Sequence, residues 1–294
     1  MLVVPQLSNA INLCHFNAVV QCLFAIPCFI TELEKTKDND ILRLWKACKE
    51  HRNKNLNARN YSKDFFLGTD QEDSFETLER ICSYLISING TKRTLKLHKS
   101  LHNSKIHIES FKHWKQYIGD KYCNVVHGLF AKQCIIARTG QDSNVFDSIL
   151  FLQLPIAKNR ETLSDCLIDY FSKEMIEIDN KKCVRVQRLW TLSPILVIQL
   201  KRFRNNGTKI NNRILYNEDL DVLPFVAPVK IASSKYKLAA ILCHTNMIIG
   251  GHYYALIKDT TSDRWIKVDD EKKYDWGKKI DPNAYGFFYV LNIE

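Results

Sequence analysis

The chain has 294 residues, 46% of them hydrophobic and 25% charged, and a formal net charge of +10. This composition is typical of a soluble globular protein that buries its core without disulfides, in one large domain or two modest ones. The longest apolar stretch, residues 18–30, contains Gln21 and Pro27 and is too short to cross a bilayer. No basic segment precedes an apolar core, so we expect neither a secretory leader nor a membrane span.

The cysteines predict neither a disulfide framework nor a standard zinc or redox motif, because no CxxC pair occurs. Most of them have apolar neighbours. We therefore expect small core side chains in a reducing compartment, and a cytoplasmic and/or nuclear location. The ten are Cys14, Cys22, Cys28, Cys48, Cys82, Cys123, Cys134, Cys166, Cys183 and Cys243.

The first part of the chain has helical periodicity. Apolar residues at i, i+3, i+4, i+7 and i+8 predict a helix from about residue 12, with Asn12 as N-cap and Pro27 as its end. Similar spacing near Asp73–Leu85 predicts a second helix. The two apolar faces consist of Phe16, Val19, Val20, Leu23 and Phe24, and of Phe75, Leu78, Ile81, Cys82 and Leu85.

From Val145 onward the pattern changes to short β-rich runs separated by turn signals such as Gly250-Gly251. Helices followed by strands predict an α+β protein in which a helical lobe packs against an antiparallel sheet. The predicted strands are Ile149–Leu154, Ile195–Leu200, Tyr236–Leu242, His252–Ile257, Trp265–Val268 and Phe287–Leu291.

Cys14 is a candidate nucleophile because it falls in the first turn of the predicted helix, where the helix dipole and free N–H groups stabilise a thiolate. The alternative is a buried structural cysteine, like Cys22 or Cys28. A cysteine nucleophile requires a base that the fold brings close. Of nine histidines, His252 has the most informative setting, at the start of a strand after a glycine pair, and His244 is interpreted as structural.

Residues 6–17, QLSNAINLCHFN, followed by Gln21 and Leu23, resemble the cysteine box of the ubiquitin-specific proteases, G-L-x-N-x-G-N-T-C-Y-x-N-S-x-x-Q-x-L. The resemblance implies that Asn9 and the Cys14 backbone N–H bind the oxyanion. The alternative for Asn9 is a turn or cap residue. The chain departs from the pattern at Ile11, Leu13 and His15, where the family has Gly, Thr and Tyr.

Residues 236–254 and 265–270 resemble the histidine box of the same family, which ends in G-H-Y and then W-Y-x-F-D-D. The resemblance implies that His252 is the general base and that Asp269 accepts from its imidazole N–H. Asp270 is the rival, because adjacent strand residues face opposite sides and only one of them can point at the histidine.

Three more blocks, at residues 71–78, 194–203 and 284–289, also resemble family motifs, so the five blocks run from residue 6 to residue 289. They imply an α+β, papain-like cysteine protease with a helical thumb lobe packed against an antiparallel β palm and reduced fingers. We expect one catalytic domain over residues 1–294, with a thumb over about 1–115 and palm and fingers over about 116–294.

The resemblance implies a thiol-dependent deubiquitinase that hydrolyses the bond after the C-terminal glycine of ubiquitin. Asp73 and Glu76, at i and i+3 on one helix, would pair with the arginines of ubiquitin's tail. A solvated acidic helix face is the alternative. Gly250, Gly251 and Tyr253 would line the passage for the terminal diglycine.

Many family members bind zinc in the fingers through two CxxC pairs. At the matching places this chain has Cys134 and Cys183, one cysteine of each pair. Two thiolates do not make a four-ligand site, so we expect no zinc and no other cofactor.

Three other functions stay open. A catalytically impaired relative that binds ubiquitin is suggested by Ile11, Leu13 and His15, and a protease for another ubiquitin-like modifier would share the same motifs. A nucleic-acid-binding module would draw on the +10 charge, which is densest at 92–112. We expect a monomer with ubiquitin or a ubiquitin-like protein as partner, and no obligate nucleic acid.

Overall fold

The computed structural model describes residues 3–9, 12–51, 54–62, 70, 72–89, 126, 134–139, 143–178, 180–227, 231–246, 250–277 and 280–293. The basic segment 92–112 and Ile11, to which two of the sequence-based hypotheses refer, lie outside these residues. The expected boundary between thumb and palm, near residue 115, also lies outside them, so the division of the domain stays a prediction.

Helices dominate the described part of the chain before residue 90, as the sequence pattern predicts. The α-helices whose bounds lie in the described residues are α1 (Cys14–Phe24), α2 (Pro27–Leu33), α3 (Asp40–Glu50), α4 (Ser74–Asn89) and α5 (Leu163–Tyr170). Short 3₁₀ turns cover Ala58–Tyr61 and Leu223–Phe225.

The predicted limits of the first helix are wrong at both ends. Asn12 is not the N-cap: it has a positive φ of 47°, Leu13 holds the cap position, and the side chain of Asn9 accepts from the Leu13 N–H instead. Asparagine tolerates this left-handed conformation better than most residues. Pro27 does not end α1 but begins α2, where its fixed φ suits the first helical position.

Most strands form one eight-stranded palm sheet, in which β13, β12, β11, β10, β14, β8 and β5 are neighbours and β9 pairs with β10. All pairs are antiparallel except β5 with β8. Each of the six predicted strands is present. The palm strands are β5 (Leu152–Pro155), β8 (Ile195–Lys201), β9 (Asp219–Asp221), β10 (Lys235–Thr245), β11 (His252–Asp259), β12 (Arg264–Asp269), β13 (Lys272–Gly277) and β14 (Ala284–Leu291).

A second sheet of four strands, the fingers sheet, has the order β4-β3-β7-β6. The sequence pattern predicted none of its strands, since charged side chains break the apolar alternation. Its strands are β3 (Cys134–Thr139), β4 (Ser143–Ser148), β6 (Glu174–Ile178) and β7 (Lys181–Leu189). Two further strands, β1 (Leu7–Ser8) and β2 (Leu56–Asn57), form a short parallel pair.

The palm sheet is buried on both faces, and α1 lies on one of them. All eleven residues of α1 are buried, and the helix packs against β10, β11, β12 and α4. Along β11 the side chains alternate: Tyr253 and Ala255 join the core cluster that contains α1, whereas Tyr254 and Leu256 join the cluster that contains α5. This arrangement holds the first residue of α1 against the beginning of β11.

Among the described residues no single helix is long and apolar enough to cross a membrane. The consecutive helices α1 and α2 reach the required length and composition only as a pair, and they are bent by 97°.

One close contact between α4 and the palm yields a stability prediction. A Cβ on Gly286 of β14 would lie 2.6 Å from Cζ of Phe75, whose ring is wedged between Phe151 and Tyr285 at centroid distances of 4.8 and 5.3 Å. We expect Gly286→Ala to lower the free energy of unfolding by about 1–3 kcal/mol through overpacking. Urea unfolding measures the loss. Adding Phe75→Leu should recover part of it, and a G286A variant as stable as the wild type would contradict the packing described.

Candidate active site

The fold brings together two side chains that are 238 positions apart in the sequence. Cys14 is the first residue of α1 and is buried, and His252 is the first residue of β11 and is half-buried. The Cys14 thiol lies near enough to the His252 imidazole to raise the pKa of that imidazole. The N-terminus of α1 places backbone N–H groups and the positive end of the helix dipole beside the sulfur.

Asp269, the last residue of β12, binds the other side of the imidazole. Its Oδ1 lies 2.6 Å from Nε2 of His252, which leaves Nδ1 for the sulfur. The hydrogen bonds to Asp269 and Cys14 raise the pKa of His252 to about 10, against the opposing effect of burial. The hydrogen bond from His252 also lowers the pKa of Asp269. The imidazole is therefore a cation near neutral pH, held between a carboxylate and a thiol.

Asp270, the rival for the third position, is oriented differently. Its nearest oxygen is 3.9 Å from Nε2 of His252, and its Oδ1 accepts from Nδ2 of Asn17 at 2.8 Å. Burial raises the pKa of Asp270 despite the hydrogen bonds that it accepts from Asn17 and Asn9. Geometry therefore favours Asp269 as the partner of the histidine.

Asn9 lies beside this group in an exposed position. Its Oδ1 accepts from the Leu13 N–H at 2.7 Å, and its amide group donates to Asp270. A carboxamide nitrogen has two N–H bonds, so one further donor is left beside the N-terminus of α1. Asn9 is thus both a cap residue and a group that can face a developing oxyanion, and the two interpretations made from the sequence do not exclude each other.

Two buried amides on α1 anchor the helix to the turn after β12. Asn17 binds the Asp270 carboxylate, and Nε2 of Gln21 donates to the Asp270 backbone oxygen at 3.0 Å. The same oxygen accepts from the Leu7 N–H at 3.1 Å. Both amides belong to the cysteine-box motif, but the motif alone gives no role for them. Two polar residues four apart on an otherwise apolar helix were the signal for a buried polar partner.

Asp73 is not on α4, as the spacing suggested, but immediately before it. Its Oδ1 accepts from the Phe75 N–H at 2.7 Å, and its Oδ2 accepts from the hydroxyls of Tyr253 at 3.0 Å and Tyr285 at 2.8 Å. Three of about four acceptor positions on this carboxylate are therefore occupied within the chain. Asp73 ties the start of α4 to the palm and has little capacity left for a ligand.

Glu76 is exposed on the first turn of α4. A third acid, Glu79, lies one turn further along, and burial together with the charges of Glu76 and Asp73 raises its pKa. A cation that binds here would relieve this repulsion, so Glu76 is better placed than Asp73 to pair with an arginine.

The remaining predicted residues are Gly250 and Gly251, which directly precede β11, and Tyr253, which is the second residue of that strand. Gly250 has a φ of 79°, which a glycine adopts without strain, and no atom of the described residues would lie within 4 Å of a Cβ at this position. Gly251 directly precedes His252. Tyr253 is only 3% exposed, and its hydroxyl donates to the Asp73 carboxylate. It therefore helps to hold Asp73 in place and, contrary to what the resemblance implied, does not line an open passage.

Two other histidines near the site are neutral. Burial, with Arg80 nearby, lowers the pKa of His15 to about 4, and Nδ1 of His15 lies 2.7 Å from Oγ1 of Thr77. Burial likewise lowers the pKa of His244 to about 4, and its ring packs against Tyr253 at a centroid distance of 4.3 Å. Both are structural, as the sequence analysis predicted for His244.

A metal ion fits poorly at the places available in the described chain. His252, Asp269 and Asp270 offer ligand atoms within 4.8 Å of one another, but His252 and Asp269 already bind each other. In the fingers, Cys134 is next to Ile135, which pairs with Leu189, whereas Cys183 is six residues earlier on β7. Cys134 lies one position beyond that pair, so at about 3.3 Å per residue the backbones of the two cysteines are about 23 Å apart along the sheet, too far for a shared zinc ion.

Comparison with known proteins agrees with these motifs. The family described as "UCH: Ubiquitin carboxyl-terminal hydrolase" matches residues 6–289. A probable ubiquitin carboxyl-terminal hydrolase of Acanthamoeba polyphaga mimivirus is 27% identical over 65% of this chain and 47% of its own length. Ubiquitin carboxyl-terminal hydrolase 48 of Rattus norvegicus is 32% identical over 49% of this chain and 15% of its own length. The chain thus spans less than half the length of these curated relatives.

Solved structures show the same fold. A yeast SAGA DUB module with a mutant Sgf73 matches with a TM-score of 0.77 and 20% identity, over 99% of this chain and 69% of the matched chain. The SAGA Ubp8/Sgf11/Sus1/Sgf73 DUB module bound to ubiquitin aldehyde matches with a TM-score of 0.74 and 20% identity, over 99% and 70%. The expected α+β, papain-like fold is confirmed, and the chain belongs to the ubiquitin carboxyl-terminal hydrolase family.

Proposed function

We propose that the chain is a thiol-dependent deubiquitinase that hydrolyses the peptide or isopeptide bond after the C-terminal glycine of ubiquitin. The observation that supports this most strongly is the array of Cys14, His252 and Asp269 at the junction of α1 with the palm. A ubiquitin-aldehyde complex of a structural neighbour agrees with this substrate.

In the proposed reaction the Cys14 thiolate attacks the carbonyl carbon of the terminal glycine. The oxyanion that forms accepts hydrogen bonds from the free N–H of Asn9 and from the Cys14 backbone, an effect worth roughly 3–4 kcal/mol per donor. His252 then protonates the leaving amine as the C–N bond breaks, which leaves a thioester. Water, deprotonated by His252, hydrolyses the thioester and restores the thiol.

Substrate specificity follows from the two ends of the cleft. Glu76 would pair with an arginine of the ubiquitin tail, and Asp73 would hold α4 in place for it. The Gly250-Gly251 loop would leave a passage that only glycine residues fit. We also propose that the protein works as a monomer without obligate nucleic acid or membrane. A reducing cytoplasmic and/or nuclear compartment suits it, since the eight cysteines described are all free.

Replacing the nucleophile tests the site and the reaction class together. We expect Cys14→Ala to lower turnover of ubiquitin–rhodamine by roughly 10⁶-fold and to abolish the adduct with ubiquitin–propargylamide. Cys28→Ala, a half-buried cysteine on α2, is the matched control and should keep both. A wild-type protein that binds ubiquitin but neither turns over nor forms the adduct would be the impaired relative. Labelling by a different modifier in a probe panel would instead reassign the substrate.

The pH dependence of Cys14 alkylation by iodoacetamide separates Asp269 from Asp270. The pKa of His252 is raised, so its charged form stabilises the folded protein. This contribution to stability is fully present below about pH 6.5 and is lost as the pH rises through about 10, where the imidazole loses its proton. We expect the rate of Cys14 alkylation in the wild type, measured by mass spectrometry, to have an inflection near that pH. Asp269→Asn should move it to lower pH and reduce kcat by roughly 10²–10⁴-fold. Asp270→Asn should leave the inflection in place, and the reverse pattern would exchange the two roles.

The two acids at α4 should give different kinetic defects. We expect Glu76→Gln to raise KM for ubiquitin–rhodamine about two- to fivefold without changing kcat or stability, as for an exposed ion pair. Asp73→Asn removes the acceptor for two tyrosine hydroxyls and should lower the free energy of unfolding by about 1–3 kcal/mol. Steady-state kinetics and urea unfolding measure these effects. Equal stability losses in the two variants would refute this division of roles.

A further inference from the structure

A lysine beside the catalytic array has no role in the reaction described above. Lys267 is on β12, two residues before Asp269, so the two side chains are on the same face of the strand. Its Nζ lies 3.1 Å from Oδ2 of Asp269, while Oδ1 of the same carboxylate bonds His252 at 2.6 Å. The two oxygens of Asp269 therefore have different partners, one cationic side chain on each.

The lysine is itself held in place by aromatic rings. Its Nζ lies 3.9 Å from the ring centroid of Tyr254 and 6.0 Å from that of Trp276. The Tyr254 hydroxyl donates to the buried carboxylate of Asp281 at 2.7 Å, which fixes the ring. A lysine on an anchored aromatic face, with only 22% of its side chain exposed, has lost most of its freedom to move. It can orient a neighbouring group.

We propose that Lys267 is a positioning residue that holds Oδ2 of Asp269 so that Oδ1 stays aimed at His252. This inference builds on the proposed function and adds a fourth member to its catalytic array. The Lys267 side chain approaches Asp269 from the face of the palm sheet opposite α1. Cys14, in contrast, approaches His252 from α1.

The array requires such a group for two physical reasons. A terminal carboxylate rotates in a broad torsional well, so a single hydrogen bond fixes its direction weakly. A second carboxylate, that of Asp270, is also only 3.9 Å from Nε2 of His252 and repels Asp269. The Lys267 ammonium offsets that repulsion and occupies the free oxygen. Without it, the imidazole can turn toward Asp270, and the geometry to Cys14 is lost.

The test compares Lys267→Met, which keeps the aliphatic stem over Tyr254, with Lys267→Arg, which keeps the charge. We expect K267M to reduce kcat for ubiquitin–rhodamine by roughly 10- to 100-fold with KM unchanged, the scale of a misplaced catalytic group. Alkylation of Cys14 by iodoacetamide should slow at least several-fold. K267R should recover most of both rates, which a role in packing alone would not predict.

Lys258→Met is the matched control. Lys258 is also a palm lysine near an aromatic ring, 5.5 Å from Trp265, but its ion pairs are with Glu218 and Asp263, both at 2.7 Å. At a temperature where thermal unfolding shows both variants folded, K258M should keep wild-type kcat. In the D269N background, K267M should cause no further loss, because effects that act through one carboxylate are not additive.

Two results would overturn the inference: wild-type kcat and alkylation rates in K267M, or a full K267M defect in the D269N background. A wild-type protein that does not cleave ubiquitin–rhodamine would reject the proposed function, but not this inference. In that case the alkylation rates of Cys14 in wild type, K267M and K267R still decide it, since that reaction requires no ubiquitin.

Discussion

The active-site geometry depends on one turn, the one that Asp270 makes between β12 and β13. Asp270 has a positive φ of 52°, and its backbone oxygen and carboxylate together accept hydrogen bonds from Leu7, Asn17 and Gln21. These bonds join the N-terminal segment and α1 to a strand more than 240 positions away. Because Asp269 directly precedes this turn, the contacts that fix α1 also fix the carboxylate that orients His252. The proposed nucleophile Cys14 and the proposed orienting acid Asp269 are therefore positioned by the same structural element.

The carboxylates of the cleft differ in how many partners the chain itself supplies. Asp73 accepts from three groups, Asp269 from His252 and Lys267, and Glu76 is exposed at the start of α4. Acids saturated by the protein are rigid, and they build the cleft before a substrate arrives. An exposed acid keeps its binding capacity for a partner. This difference in remaining hydrogen-bond capacity is the basis for proposing an orienting role for the first two and substrate recognition for the third.

The sequence predicted the candidate catalytic residues better than the residues that hold them in place. Cys14, His252 and Asp269 could be found because their motifs are local and their chemical requirements are specific. The partners of Asp73 could not, since Tyr253 and Tyr285 are 180 and 212 residues away and only the sheet order places them beside it. The fingers strands were missed because the period-2 apolar alternation is weak along their sequences. The end of α1 was misplaced because proline both ends helices and begins them.

Three histidines near the cleft show how the surroundings, and not the residue type, select a base. Burial lowers the pKa of His15 and His244 to about 4, so neither carries a proton near pH 7. His252 is also partly buried, but a carboxylate on one side and a thiol on the other raise its pKa to about 10. Of these three, only His252 has the charged imidazole that would stabilise a thiolate at Cys14 in the proposed reaction. The neutral His15 and His244 add no positive charge beside His252. A cation at either place would weaken the ion pair between Cys14 and His252 on which the proposed reaction depends.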